Sequence, residues 1–274
     1  PAPSGGVSVV EQVLRRERAV VAAGLAALTV LAWFYLWRGA GMAMGGLEMT
    51  TVALFPHLQA EPMPGMEAMP FAWATAVAMW WVMMIAMMTP GAAPLILLYG
   101  RVLRHAKGDA VPDRAYASSA FLVAGYLAVW LGFSMVAAAL QSALEPAGLI
   151  SPMMLWSKSA ALSATVLAAA GLYQLSPLKG ACRRQCRGPV EFLTRRWRPG
   201  PSGAFVMGVE HGAWCVGCCW MLMTLLFVGG LMNFAWIAVL TFLVLIEKLA
   251  PAGPIVGRIS GVVLLAWAVA TILR

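Results

Sequence analysis

Residues 203–231 read GAFVMGVEHGAWCVGCCWMLMTLLFVGGL, an apolar run whose only charged side chain is Glu210. A helix needs about 20 apolar residues to cross the hydrocarbon core of a bilayer, so this run is long enough to do so. Its centre nevertheless holds reactive side chains, which are costly in lipid and usually have a partner or a function there. These are one imidazole and three thiols: His211, Cys215, Cys218 and Cys219. The run therefore predicts a membrane-spanning helix that carries a functional site.

The composition of the whole chain is typical of a membrane protein. Of its 274 residues, 61% are hydrophobic and 11% are charged, and the mean hydropathy is +0.81. Soluble domains are about half apolar and about a quarter charged, so a soluble fold is excluded. Apolar length and periodicity predict an all-α, polytopic transmembrane helix bundle in a single integral membrane domain, residues 1–274. About seven helices are expected, at 19–37, 71–99, 115–142, 157–175, 203–231, 233–250 and 255–273.

Lysine and arginine are distributed unequally between the two ends of these helices. Of the 19 such residues, 16 fall on one side and three, Arg38, Lys158 and Arg274, fall on the other. Segments rich in positive charge stay in the cytoplasm, so we expect a cytoplasmic N-terminus and an external C-terminus. Residues 176–202 then form a basic cytoplasmic loop against anionic lipid head groups, and residues 38–70 form an external loop. The first helix has no small-residue cleavage site, so we expect it to be retained.

The reactive side chains of 203–231 share one face of the predicted helix, because residues three and four positions apart are neighbours there. Two more thiols, in KGACRRQC at 179–186, lie on the same expected side of the membrane at the i, i+4 spacing. Thiolate donors select Cu(I), zinc or iron–sulfur chemistry, whereas an isolated buried cysteine packs as a small hydrophobe. The grouping favours a metal site with six candidate ligands: His211, Cys215, Cys218, Cys219, Cys182 and Cys186.

One helix rarely completes a coordination shell. We expect a further donor from the methionines of 71–99 or from Cys182, with Glu210 as a supporting partner of the ligands. Glu247 and Lys248 are expected at the inner interface, where a lysine can extend towards water. The cytosol is reducing, which makes a permanent disulfide between Cys182 and Cys186 improbable.

The expected external loop is rich in methionine. Residues 41–70 read GMAMGGLEMTTVALFPHLQAEPMPGMEAMP. Thioether sulfur binds Cu(I) and needs no deprotonation, although methionine also serves as an adaptable apolar filler. Both interpretations stay open, and the metal hypothesis has six candidate ligands here: Met42, Met44, Met63, Met66, Met69 and His57.

Four motifs together resemble a known family. They are W-x2-M-x3-MM-x-P at 80–90, YQLSPLK followed by two cysteines at 173–186, CVGCCW at 215–220, and the EK pair at 247–248. They are similar to a bacterial family of predicted metal-binding integral membrane proteins, a domain of unknown function, over roughly residues 71–250. The resemblance implies metal binding at the five cysteines, and a multi-pass location in the bacterial inner (cytoplasmic) membrane. It implies no reaction.

Three functions fit these observations. The first is handling of Cu(I), by binding, transfer or delivery to a membrane cuproenzyme, with copper as the expected metal and other soft metals still open. The second is a non-catalytic accessory subunit that packs against other subunits of a larger membrane enzyme complex. The third is a membrane thiol oxidoreductase that uses Cys182 and Cys186 with the CVGCC thiols. The sequence contains no P-loop and no hydrolytic constellation, so we expect no enzyme of those classes and no nucleic-acid partner.

The charge distribution generates a test of topology. A reporter fused at Gly108 should give a cytoplasmic signal and one fused at Gly65 an external signal, because 16 of the 19 lysines and arginines lie on the side of Gly108. Signals from the same side for both fusions would contradict the proposed orientation.

Overall fold

The computed structural model describes residues 9–40, 45–50, 52, 54–55, 72–107, 112–151 and 154–274. Every regular element in these ranges is a helix, apart from one isolated antiparallel bridge between Ile150 and Ser157. The all-α class is therefore confirmed for the described residues. The helices are α1 (Val9–Trp37), α2 (Trp73–Lys107), α3 (Pro112–Leu144), α4 (Ala160–Leu175), α5 (Pro177–Arg187), α6 (Pro189–Arg196), α7 (Gly200–Thr224), α8 (Leu226–Gly229), α9 (Phe234–Leu249) and α10 (Gly253–Ile272).

The expected count of about seven helices is wrong. Each of the seven predicted segments overlaps a helix, but nine helices of eight or more residues lie in the described ranges, and α8 is a single turn of four residues. The additional helices are α5 and α6, which occupy most of the stretch expected to be a basic loop. Each begins with a proline at a first-turn position, and the Ser176 side chain caps α5 by accepting from the main-chain N–H of Lys179. Apolar length alone does not reveal such short polar helices.

Fewer helices than expected are long enough to cross a membrane. Within the described residues, five have the length and apolar composition to do so: Ala19–Trp37, Trp73–Leu103, Ala117–Leu144, Gly200–Gly229 and Gly253–Ile272. A sixth candidate is α4 together with α5, which meet at a bend of 64°. The predicted helix at 233–250 is α9, whose 16 residues span about 24 Å at 1.5 Å per residue. This is shorter than a hydrocarbon core of about 30 Å.

Helix α7 lies inside the bundle and packs most closely on α3. A Cβ atom added to Gly208 of α7 would come within 2.1 Å of the main-chain oxygen of Leu122, and one added to Gly125 of α3 within 2.1 Å of that of Phe205. The two backbones therefore touch, as they do where small residues line helix interfaces in membranes. This contact fixes α7 against α3, while α2, α4, α5 and α9 cover its other sides.

The contact between α3 and α7 can be tested with one methyl group. Gly208→Ala places a carbon 2.1 Å from the Leu122 oxygen, so we expect the free energy of unfolding to fall by about 1–3 kcal/mol, typical of overpacking, and the midpoint of thermal unfolding to fall with it. Gly132→Ala is the matched control, since no atom lies within 4 Å of the added carbon, and its midpoint should be unchanged or higher. Equal midpoints for the two variants would contradict the close approach.

Candidate metal centre

One face of α7 is buried in the bundle, and it carries the residues that the sequence analysis grouped together. His211, Cys215, Cys218 and Cys219 are each at most 3% exposed. Their spacing places them on adjoining turns of the helix face that meets α2, α3, α5 and α9. The thiols of α7 therefore face other helices rather than the outer surface of the bundle.

Sulfur atoms from three helices meet at this face. The Cys186 thiol of α5 interacts with the thiols of Cys215 and Cys218, and Cys219 Sγ is 3.8 Å from Met88 Sδ of α2. We call this group of four thiols and one thioether the sulfur cluster: Cys186, Cys215, Cys218, Cys219 and Met88. Sequence reasoning had named all four of these cysteines and had placed a further donor either among the methionines of the second helix or at Cys182.

The thiols of the sulfur cluster are not equivalent. Cys218 and Cys219 donate to the main-chain oxygen of Cys215, with Sγ–O distances of 3.1 and 2.9 Å. The Cys215 sulfur accepts a hydrogen bond from Lys248 Nζ at 2.8 Å, and the Tyr126 hydroxyl lies 3.1 Å from it. The environment of Cys215 thus favours a thiolate, because a cation is its nearest polar neighbour.

Lys248 is the main residue that sequence reasoning misplaced. The side chain was expected to extend towards water, but it is 6% exposed, and its Nζ lies 2.8 Å from Cys215 Sγ and 3.8 Å from Met88 Sδ. Gly91 makes room for it, since a Cβ there would lie 3.2 Å from the Lys248 Cδ. One feature of the sequence indicates this burial: a charged pair ends an apolar helix. Ionisable groups in such segments are usually buried with a partner.

Glu247 is also buried, and it is paired with a different lysine. Its carboxylate forms an ion pair with Lys179 of α5 and accepts a hydrogen bond from Gln174 Nε2 at 2.7 Å, while the same amide nitrogen lies 2.7 Å from Ser260 Oγ. Lys179 is 2% exposed and Glu247 3%. Helices thus enclose both side chains of this ion pair. This network ties α5 to α9, and so holds Cys186 against α7.

Glu210 is paired with arginines of the neighbouring basic stretch. It pairs with Arg198 at 2.9 Å and with Arg196 at 3.6 Å, both in or just after α6. The basic stretch folds back onto the first half of α7 and uses this carboxylate. Glu210 thus joins α6 to α7 through these ion pairs, and its Oε2 has no hydrogen-bond partner among the described residues.

His211 lies one turn before Cys215 and is 2% exposed. Neither ring nitrogen has a hydrogen-bond partner among the described residues. Its ring packs against Tyr126 and Phe192, at centroid distances of 5.9 and 5.4 Å. A buried imidazole without partners is unusual, because buried polar atoms are normally satisfied, and it leaves a nitrogen lone pair available for a ligand.

Cys182 lies beside the sulfur cluster. Its Sγ would be 3.1 Å from a Cβ added to Gly217 of α7, and it interacts electrostatically with Cys218. Cys182 and Cys186 are both partly exposed, whereas the three thiols of α7 are buried. The two cysteines of α5 therefore lie between the buried thiols and the solvent.

The donors fit a soft metal ion, although their side chains do not surround a common point. In the described part of the chain, no group of three or more His, Cys, Asp or Glu side chains has metal-holding geometry. Thiolate and thioether sulfur are nonetheless the donors preferred by Cu(I). Six other predicted ligands lie outside the described residues and stay predictions: Met42, Met44, His57, Met63, Met66 and Met69.

Fold and donor set together define a helical bundle protein with a buried, sulfur-rich candidate metal centre. A family model described as "PpoB2: Copper chaperone" matches residues 77–271, which is more than half of the chain, and the protein therefore belongs to this family. The match supports the expected metal-binding class and favours copper among the soft metals. Searches of curated proteins and of solved structures found no match.

Proposed function

We propose that this protein is an integral membrane copper chaperone that holds Cu(I) as cargo in the sulfur cluster. Convergence of four thiols and one thioether from α2, α5 and α7 is the observation that carries this proposal. The family match supports copper as the metal. The five helices of sufficient length and apolarity support a multi-pass location, which we place in the bacterial inner membrane.

Cys186 and Cys215 are the two thiolates that we assign to the ion, with Met88 as a neutral thioether donor. Cu(I) prefers few, soft ligands, and two thiolates satisfy this preference. Cys218, Cys219 and His211 adjoin the pair and provide alternative donors as side chains turn. The ion remains Cu(I) throughout, so transfer is an exchange of ligands and needs no electron donor or acceptor.

The partly exposed cysteines of α5 suggest how cargo leaves or enters. Cys186 belongs to the sulfur cluster and Cys182 lies one turn away on α5, and both are partly exposed. These exposed positions give a thiol or thioether of a partner protein a route by which to replace Cys215 as a ligand. We place this exchange at the cytoplasmic end of the bundle and assign collection of external Cu(I) to the methionine-rich loop at 38–70. A membrane cuproenzyme is the proposed recipient.

The ligand assignment predicts the effect of replacing the sulfur atoms of the ligands by other atoms in side chains of similar shape. Cys186→Ser/Cys215→Ser should lower the affinity for Cu(I) at least about a hundredfold, since hard hydroxyl oxygen is a poor Cu(I) ligand. Met88→Leu should lower it by a smaller factor. Competition for Cu(I) against a chromophoric chelator measures both effects on the purified full chain.

Met79→Leu is the matched control, because Met79 is equally buried on the same helix α2 and is not part of the sulfur cluster. Its affinity should equal that of the wild type. Undiminished Cu(I) binding in the double cysteine variant would overturn the proposal. It would leave the accessory-subunit hypothesis, in which the thiols serve only to pack helices together.

A further inference from the structure

We infer that Met84 of α2 and Met223 of α7 form a second position for Cu(I), one helical turn away from the sulfur cluster. Their two thioethers hold the ion on its way to or from the cluster. This second position rests on the proposed copper function and deepens it, because it names a place through which the cargo passes inside the bundle.

Two side-chain contacts give the register of α2 against α7 and α8, which together form one candidate membrane span. Met88 Sδ of α2 lies 3.8 Å from Cys219 Sγ of α7. The rings of Trp80 in α2 and Phe227 in α8 lie 5.2 Å apart, measured between their centroids. Trp80 precedes Met88 by eight residues, whereas Phe227 follows Cys219 by eight. The two segments therefore run antiparallel and stay in register between these contacts.

Midway between the two contacts lie Met84 on α2 and Met223 on α7. Each is four residues from the contact on either side, and residues four apart are neighbours on one face of a helix. The register therefore places the two thioethers opposite each other. At 1.5 Å per residue, this pair lies about 6 Å along the helix axis from the contact between Met88 and Cys219.

The surroundings of the pair suit a soft, monovalent ion. Met84 and Met223 are fully buried, so water does not compete with the two sulfur atoms. Thioether sulfur binds Cu(I) and has no proton to lose. On the side away from the sulfur cluster, the next residue in register on α2 is Trp80, whose Nε1 donates to Gln141 Oε1 of α3 at 2.9 Å. Indole is the side-chain ring that attracts cations most strongly.

Two neutral donors also make this position suitable for an ion in transit. An ion held by Met84 and Met223 keeps its positive charge, so it is bound less tightly than by anionic sulfur. Passage to the sulfur cluster is an exchange of ligands, in which the bond to Met84 Sδ breaks as a bond to Met88 Sδ forms. The ion remains Cu(I), and no proton moves in this step. Methionine supplies five of the ten residues from Met79 to Met88, so thioethers are available along this stretch of α2.

The test counts Ag(I), a redox-stable substitute for Cu(I), bound to the full chain in nanodiscs at equilibrium with a weak competing chelator. The sulfur cluster is first disabled by Cys186→Ser/Cys215→Ser, so that the weaker sites are measured. Adding Met84→Leu/Met223→Leu to this background should lower the number of bound ions by one per chain. Leucine conserves the volume of methionine and costs little stability, so the loss reports the missing sulfur.

Met79→Leu/Met83→Leu on the same background is the matched control. Both methionines are as deeply buried on α2, and helical periodicity places them on a neighbouring face. This variant should bind as many ions as the background does. An equal loss in the control and in Met84→Leu/Met223→Leu would overturn the inference, as would an unchanged count in both.

A second comparison separates this inference from the proposed function. In protein with all its cysteines, Met84→Leu/Met223→Leu should leave the affinity for the tightest-bound ion unchanged, because that ion belongs to the sulfur cluster. A loss of that affinity equal to the loss in Cys186→Ser/Cys215→Ser would overturn the inference, since the thioethers would then belong to the same site. Cysteine substitution that removes no bound ion from the wild type would instead refute the proposed function.

Discussion

The buried contact between the Lys248 ammonium and the Cys215 sulfur, at 2.8 Å, is the interaction on which the candidate centre depends. A cation in the interior of a helix bundle is tolerated only beside an anion. The nearest available anion is a thiolate, because Glu247 is occupied by Lys179. A thiolate is also the form of cysteine that binds metal. The need of the buried Lys248 for an anion therefore favours a thiolate at Cys215, which is the kind of donor that Cu(I) needs.

The second buried pair, Lys179 with Glu247, determines which cysteines meet. It joins α5 to the end of α9, and Arg187 strengthens this connection by donating to the main-chain oxygen of Ala250 at 2.7 Å. Because α5 is held in this position, Cys186 reaches the thiols of α7. Two adjacent residues of α9 thus have different roles. Glu247 holds α5, which carries the candidate ligand Cys186, whereas Lys248 contacts Cys215, the candidate ligand on α7.

Sequence patterns predicted the helical class and the buried face of α7. They did not predict contacts between residues that are far apart in the sequence. Apolar length located seven segments, each of which overlaps a helix. This worked because a helix in an apolar medium needs a long, continuous run of apolar residues, which is visible in the sequence. The sequence signal of α5 and α6 was weaker, because polar residues such as theirs are typical of a loop. Pro177, Pro189 and Ser176 nevertheless mark where the two helices begin. The i, i+3 and i+4 spacing of the thiols was sufficient to group them on α7.

The partners of charged residues were not predictable in the same way. Glu210, Glu247 and Lys248 were placed by their distance from expected helix ends, whereas the structure pairs Glu210 with arginines after a chain reversal and buries the other two residues. Such pairings depend on which helices are neighbours, and one sequence does not contain that information. Met88 was one of several methionines considered, and only the packing of α2 on α7 distinguishes it from the others.

X-ray absorption at the copper edge of the Cu(I)-loaded protein tests the central claim most directly, because it reports the atoms bound to the ion. The account predicts two to three sulfur neighbours at about 2.3 Å, the usual metal–thiolate distance, contributed by the sulfur cluster. A first shell of nitrogen and oxygen at about 2.0 Å, with no sulfur, would contradict it.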